Sequence, residues 1–170
     1  MSNSSCFHCG DPCTPPAIEH DDKQFCCHGC KTVYVIIAEN GLTDFYEIET
    51  NSGISQRNNS ELNTDFLLYE QFSKRYITYQ DDEKINATLH IPEIHCNSCI
   101  WLLEKLPELN SNVFSSRVNF LTKELDISFS TEIDLKNVVE LLIKLGYSPI
   151  FTLDNKKHDD SYIKSLIIRL

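Results

Sequence analysis

Apolar residues recur every second position over Ala87, Leu89 and Ile91, with Asn86, Thr88 and His90 between them, and this alternation predicts a strand running to about Ile94. Beyond it Cys99, Leu102, Leu106 and Leu109 fall on one helical face, with Asn97 or Ser98 as its cap. Phe114, Ser116, Val118 and Phe120 share one face of a second strand, and Leu125, Ile127 and Phe129 one face of a third. Thr122-Lys123 turns between them. Asp134 caps a helix carrying Leu135, Val138, Val139 and Leu142 on one side, Gly146 ends it, and Tyr147–Leu153 reads as a last strand. Strand, helix, strand, strand, helix, strand is the split βαβ arrangement of ferredoxin-like domains, so the fold class expected is α+β.

The N-terminal part follows another logic. Residues 1–47 hold every cysteine except Cys96 and Cys99, interleaved with the turn formers Gly10, Pro12, Pro15 and Pro16. Val33, Ile36 and Ile37 predict one short helix closed by Asn40-Gly41. Below ~40 residues a chain seldom folds without a metal or cross-links, and a small zinc-ribbon or treble-clef-like domain is expected here. Residues 48–65 are polar and read as a linker, and Phe66, Tyr69 and Phe72 at three-residue steps predict a connecting helix within 48–84. The ferredoxin-like domain then spans 85–154. Residues 155–170 carry Ile163, Leu166, Ile167 and Leu170 on one stripe among Lys156, Lys157, Lys164 and Arg169, too short to cross a bilayer; a solvated helix and a membrane-adjacent one both fit.

Charge and composition narrow the function. A net charge of −10 supplies no basic face for phosphates, so no nucleic-acid partner is expected. Met1–Ser5 shows no signal peptide, which puts the thiols in a reducing cytosol, where paired C-x2-C motifs bind metal or do redox chemistry. Neither a phosphate-binding G-x4-G-K-[ST] loop, nor a G-x-S-x-G elbow, nor an H-E-x-x-H helix occurs, so the chain is not expected to be an enzyme in itself.

Two sets of thiols remain. Cys6, Cys9, Cys27 and Cys30 form a C-x2-C…C-x2-C set suited to tetrahedral thiolate ligation, with Cys26 as replacement or addition and Cys13 as the spare. Zn(II) and Cu(I) both suit it. Cys96 and Cys99 stand apart at a helix N-terminus, whose unpaired N–H groups favour thiolates, so both sulfurs are expected deprotonated and facing solvent. Two soft sulfurs suit Cu(I), and His95 is a candidate third ligand. His8, His20 and His28 read as solvated turn residues rather than ligands. Thiol–disulfide exchange at Cys96-Cys99 and a zinc-stabilised interaction module are the competing readings.

Ile94-His95-Cys96-Asn97-Ser98-Cys99, Val118-Asn119 and Leu145-Gly146-Tyr147 together resemble a heavy-metal-associated domain, although Glu93-Ile94-His95 stands where that family commonly has Gly-Met-Thr. Cys6-Phe7-His8-Cys9-Gly10, Phe25-Cys26-Cys27-His28-Gly29-Cys30, Gly41-Leu42 and Trp101-Leu102-Leu103-Glu104 resemble the copper-translocating P-type ATPases tied to assembly of cbb-type cytochrome oxidases. The resemblance implies a cytoplasmic N-terminal region of such a transporter, cut ahead of its first membrane helix, that binds and passes on or senses Cu(I). Implied partners are a copper chaperone and the membrane and ATP-binding parts of the parent.

Overall fold

The computed structural model describes residues 4–14, 16–48, 53–56 and 64–151. The fold is α+β. β1 (Ile18–His20) and β2 (Lys23–Phe25) pair antiparallel, and the turn between them uses Asp21 and Asp22, both at positive φ, the conformation that matches the twist of a two-residue hairpin. α1 (His28–Glu39) follows directly. It buries Cys30, Val33, Tyr34 and Ile37, and gives way at Asn40 to Gly41, whose φ of 69° reverses the chain. The predicted helix is therefore present, its N-terminus supplying the buried Cys30. A loop turn, a hairpin and a helix start converging on one thiol cluster make the treble-clef-like knot expected of this segment.

α2 (Phe45–Ile48) leads away from the knot. A 3-10 turn (Asp65–Leu68), α3 (Glu70–Ser73) and β3 (Ile77–Gln80) occupy the stretch that the aromatic spacing had marked for one connecting helix. The Ile77-Thr78-Tyr79 run is β-branched and aromatic, which suits a pleated surface better than a helix. β3 pairs antiparallel with β4 (Lys84–His90), whose inward residues Ile85, Ala87 and Leu89 are buried. β4 pairs in turn with β6 (Glu124–Ser130), and β6 with β5 (Val113–Asn119), in the order β3-β4-β6-β5.

Four local departures from the pattern have physical reasons. The helix expected through Leu109 is two pieces, α4 (Asn97–Glu104) and α5 (Leu106–Leu109), because Pro107 has no N–H to continue the ladder. Neither Asn97 nor Ser98 caps α4; Cys96 does. A bulge between Val113 and Ser115 shifts the alternation by one, so Val113 is buried and Phe114 is exposed. Tyr147–Phe151 forms no strand and bonds to β4 through Ile150 N–H to His90 O at 2.9 Å, because β3 already fills that edge of β4. The rest of the predicted last strand and the segment 155–170 lie outside the described residues.

α6 (Leu135–Leu145) lies on the sheet. Asp134 and Asn137 exchange side-chain and backbone bonds in a capping box, and Gly146 closes the helix at φ 97°. Its buried Leu135, Val138, Val139, Leu142 and Leu145 each contribute roughly 1.5–3 kcal/mol. The same core takes in Val33 and Ile37 of α1, Leu42, and Phe45 of α2, so helices from the cysteine-rich segment pack against α4 and α6. Among the described residues no helix is long and apolar enough to cross a membrane.

Candidate metal centres

The sulfurs of Cys6, Cys9, Cys26 and Cys30 all lie within 4.8 Å of one another. Cys6 and Cys9 come from a turn tied by Gly10 N–H to Cys6 O at 2.8 Å, Cys26 from the end of β2, and Cys30 from the first turn of α1. Three measured edges, Cys9–Cys26, Cys26–Cys30 and Cys30–Cys9, are 3.7, 3.6 and 3.7 Å. Four sulfurs ~2.3 Å from a central ion at tetrahedral angles stand about 3.8 Å apart, so the donor set fits a tetrahedral thiolate ion as it is. Without an ion the thiols share protons unevenly. The Cys30 thiol donates to Cys6 and holds it down to about 4 against the opposing effect of burial, and the same bond pushes Cys30 up; burial pushes up Cys9 and Cys26.

The expectation of a solvated His8 is overturned. Its ring is 1% exposed, stacked 6.2 Å from Phe45, with Nδ1 facing the Tyr46 hydroxyl at 2.9 Å. A Cβ on Gly53 would stand 2.2 Å from that ring, which is why glycine sits there. Burial holds the imidazole down to about 4 and lifts the Tyr46 phenol. His20 beside Asp21 and exposed His28 are not among the clustered ligand atoms.

Within the segment read as a linker, residues 53–56 form a strap over the knot. Gly53 N–H bonds to His8 O at 2.9 Å, Ser55 Oγ donates to Asp11 at 2.5 Å, and the Gln56 backbone bonds to the Cys30 sulfur.

The second group is His95, Cys96 and Cys99. β4 and Ile91–Ile94 carry the chain to the start of α4, where the Cys96 sulfur accepts from Cys99 N–H at 3.3 Å. The two sulfurs lie 2.6 Å apart, and His95 Nδ1 is 3.9 Å from Cys99 Sγ. Ser98, fully buried, places Oγ 3.1 Å from Cys96 Sγ. Cys99 does not meet the expectation of a solvent-facing thiolate: it is fully buried, and burial pushes its thiol up. Two groups counter this, the loop backbone at His95 and the Tyr147 hydroxyl, which bonds to the Cys99 sulfur. Burial in turn pushes the Tyr147 phenol up, leaving it a donor at neutral pH.

Residues 5–81 match a known family model. Its description is "Putative metal-binding domain of cation transport ATPase", and the match runs from the knot through the strap to the end of β3, somewhat under half of the chain. No curated protein and no solved structure matches the chain. The family match and the two thiol groups support metal binding by this chain.

The thiols expected as ligands are thus brought together with one exchange. Cys26 stands where the spacing had put Cys27, and Cys27 instead caps α1, its sulfur accepting from Cys30 N–H at 3.4 Å. Both sulfurs lie beside that of Cys30, and the C-x2-C spacing alone does not register which of them joins Cys6 and Cys9. Cys13 is buried beside the cluster but is not one of its four. Gln56 and Tyr147 were not read as site residues. Tyr147 had a signal, following the helix-ending Gly146; Gln56 sits in a polar stretch with none.

Proposed function

We propose that this chain is the cytoplasmic-side, metal-binding N-terminal region of a Cu(I)-transporting P-type ATPase, of the group that serves assembly of cbb-type oxidases. Cys96 and Cys99 bind Cu(I) and pass it on or report its supply, with His95 within reach of a third ligand position. Cys6, Cys9, Cys26 and Cys30 hold Zn(II) or Cu(I). The donor is a copper chaperone, and the acceptor lies in the membrane and ATP-binding parts of the parent. The observation that carries the reading is a two-thiol pair at a helix N-terminus on a split βαβ sheet, in one chain with a four-thiol knot of the metal-binding family.

Chemically the two groups suit different tasks. Four thiolates enclose an ion and leave no position open, whereas a pair leaves room for a sulfur from another protein to enter before the first two depart. The Ser98 and Tyr147 hydroxyls, beside Cys96 and Cys99 respectively, solvate the sulfurs once the ion has gone, which makes the empty pair less costly and release easier.

Anaerobic Cu(I) titration of the reduced protein against a competing chelator tests this, with Zn(II) assayed on the same samples. Loss of one tight Cu(I) equivalent in Cys96→Ser/Cys99→Ser is the expected result. An unchanged Cu(I) stoichiometry would sink the reading. The 2.6 Å approach of the two sulfurs favours one second reading, thiol–disulfide exchange, and disulfide reductase activity abolished by the same variant would bring it forward.

A further inference from the structure

Cys27 and Cys96 stand in the same local geometry. Each is the residue before a helix, with extended φ and ψ of −157° and 164° for Cys27 and −142° and 166° for Cys96. Each sulfur accepts from the N–H of the cysteine three residues on, at 3.4 and 3.3 Å. Capping does not explain the choice of residue, since Ser, Thr, Asp and Asn are the side chains preferred there. Cys27 is also the half-buried neighbour of a buried ligand, Cys30, whose sulfur it meets, and its chain neighbour Cys26 is half-buried too.

We infer that Cys27 is an exchange ligand of the four-thiol site, able to take the place of Cys26, so that the ion is held by Cys6, Cys9 and Cys30 with either Cys26 or Cys27 as the fourth sulfur. In the exchange the ion–Cys26 bond breaks as an ion–Cys27 bond forms; Cys27 releases its proton and Cys26 takes one up, so charge and electron count are unchanged. With Cys27 engaged, Cys27-His28-Gly29-Cys30 holds the ion as a C-x2-C pair of the same form as Cys96-Asn97-Ser98-Cys99. The knot then becomes a site that can surrender its ion to an incoming thiolate instead of a closed structural one. Gly29 lies within this pair, and a Cβ there would be 3.7 Å from the Cys27 sulfur and 2.5 Å from Gln56 Cβ, so the strap packs tightly on the segment that would move.

The inference rests on the reading of the knot as a metal site but not on Cu(I) at Cys96 and Cys99. It is tested in the Cys96→Ser/Cys99→Ser background with Co(II) as probe, because tetrahedral Co(II) reports its number of thiolates through its absorption. Cys27→Ser keeps a good cap and Cys26→Ser keeps the hairpin, so both variants should remain folded, with circular dichroism as the check. Each single variant is expected to keep one Co(II) with a four-thiolate spectrum, and the Cys26→Ser/Cys27→Ser pair to lose the fourth thiolate. In stopped flow, transfer of the bound ion to a dithiol chelator should slow at least tenfold in Cys27→Ser. A Cys26→Ser spectrum already matching that of the double variant overturns the inference, as does an unchanged transfer rate in Cys27→Ser. Absence of any Co(II) thiolate band in the unaltered knot would instead remove the metal reading itself.

Discussion

Gln56 packs on Gly146: a Cβ added to that glycine would stand 2.1 Å from the Gln56 amide nitrogen. The contact ties the strap over the four-thiol knot to the helix end that precedes Tyr147, and Tyr147 bonds to Cys99. Gly146 also has a φ of 97°, a conformation that disfavours a side chain by roughly 1–2 kcal/mol. Gly146→Ala should lower stability by about 2 kcal/mol, and adding Gln56→Ala should recover only the part due to crowding. A double-mutant cycle by urea denaturation measures that part, and a coupling of zero would place the whole effect in the backbone.

Gly29→Ala acts differently. Its φ is not strained, but the new methyl would meet Gln56 Cβ, which has no freedom to swing away. The strap should lift from the knot, exposing the Gly53–His8 bond, and amide exchange at Gly53 should accelerate at least tenfold with the α6 amides unaffected.

Metal removal should be visible at Trp101, the chain's single tryptophan, whose ring lies 6.5 Å from that of Phe45 at a tilt of 35°. Phe45 and the α1 residues Val33 and Ile37 share a core with α4 and α6, so loosening the knot withdraws packing from the tryptophan. A red shift of Trp101 emission on chelation is expected in the Cys96→Ser/Cys99→Ser background, where only the knot can lose an ion. Unchanged emission would mean that the knot unfolds without disturbing that core.

Burial of His8 makes stability depend on pH in a stated direction. An ordinary histidine titrates near 6.5, and His8 is held to about 4. Between these values the unfolded chain binds a proton that the folded one does not, so stability is full above about 6.5 and falls as pH drops toward 4. His8→Gln retains a partner for Tyr46 and removes the titration. Between pH 7 and pH 5 the unaltered protein should lose about 2 kcal/mol more than the variant; identical losses would mean that the ring is protonated in place.

Asp134→Ala removes one half of the capping box of α6 and should cost about 1 kcal/mol, detectable as a drop in Tm. Metal stoichiometry should not change, since α6 touches neither thiol set through that end.

Much of this was legible in the sequence because periodicity and capping act locally. The alternation at Ala87 and Leu89, the Asp134 cap and the Gly146 stop each need only neighbouring residues to be recognised, and each is present, although the strand ends at His90 rather than near Ile94. The departures come from interactions that a pattern does not encode. Phe66, Tyr69 and Phe72 kept a helical spacing, yet Ile77–Gln80 found a strand edge to pair with; Phe114 kept its alternation until a bulge shifted the register. Among the thiols the residue types were evident, but the cluster takes Cys26 while Cys27 caps α1, and His8 was drawn inward by Phe45 and Tyr46 from distant sequence.

The strand Ile77–Gln80 belongs by sequence to the stretch matched by the metal-binding family and by hydrogen bonding to the sheet that follows it. A fragment begun after it, at the turn before Lys84, would leave the outer N–H and C=O groups of β4 bare, a template on which a second copy can add its own strand. Such a fragment is expected to self-associate, while one that begins ahead of Asp65 carries its own edge guard.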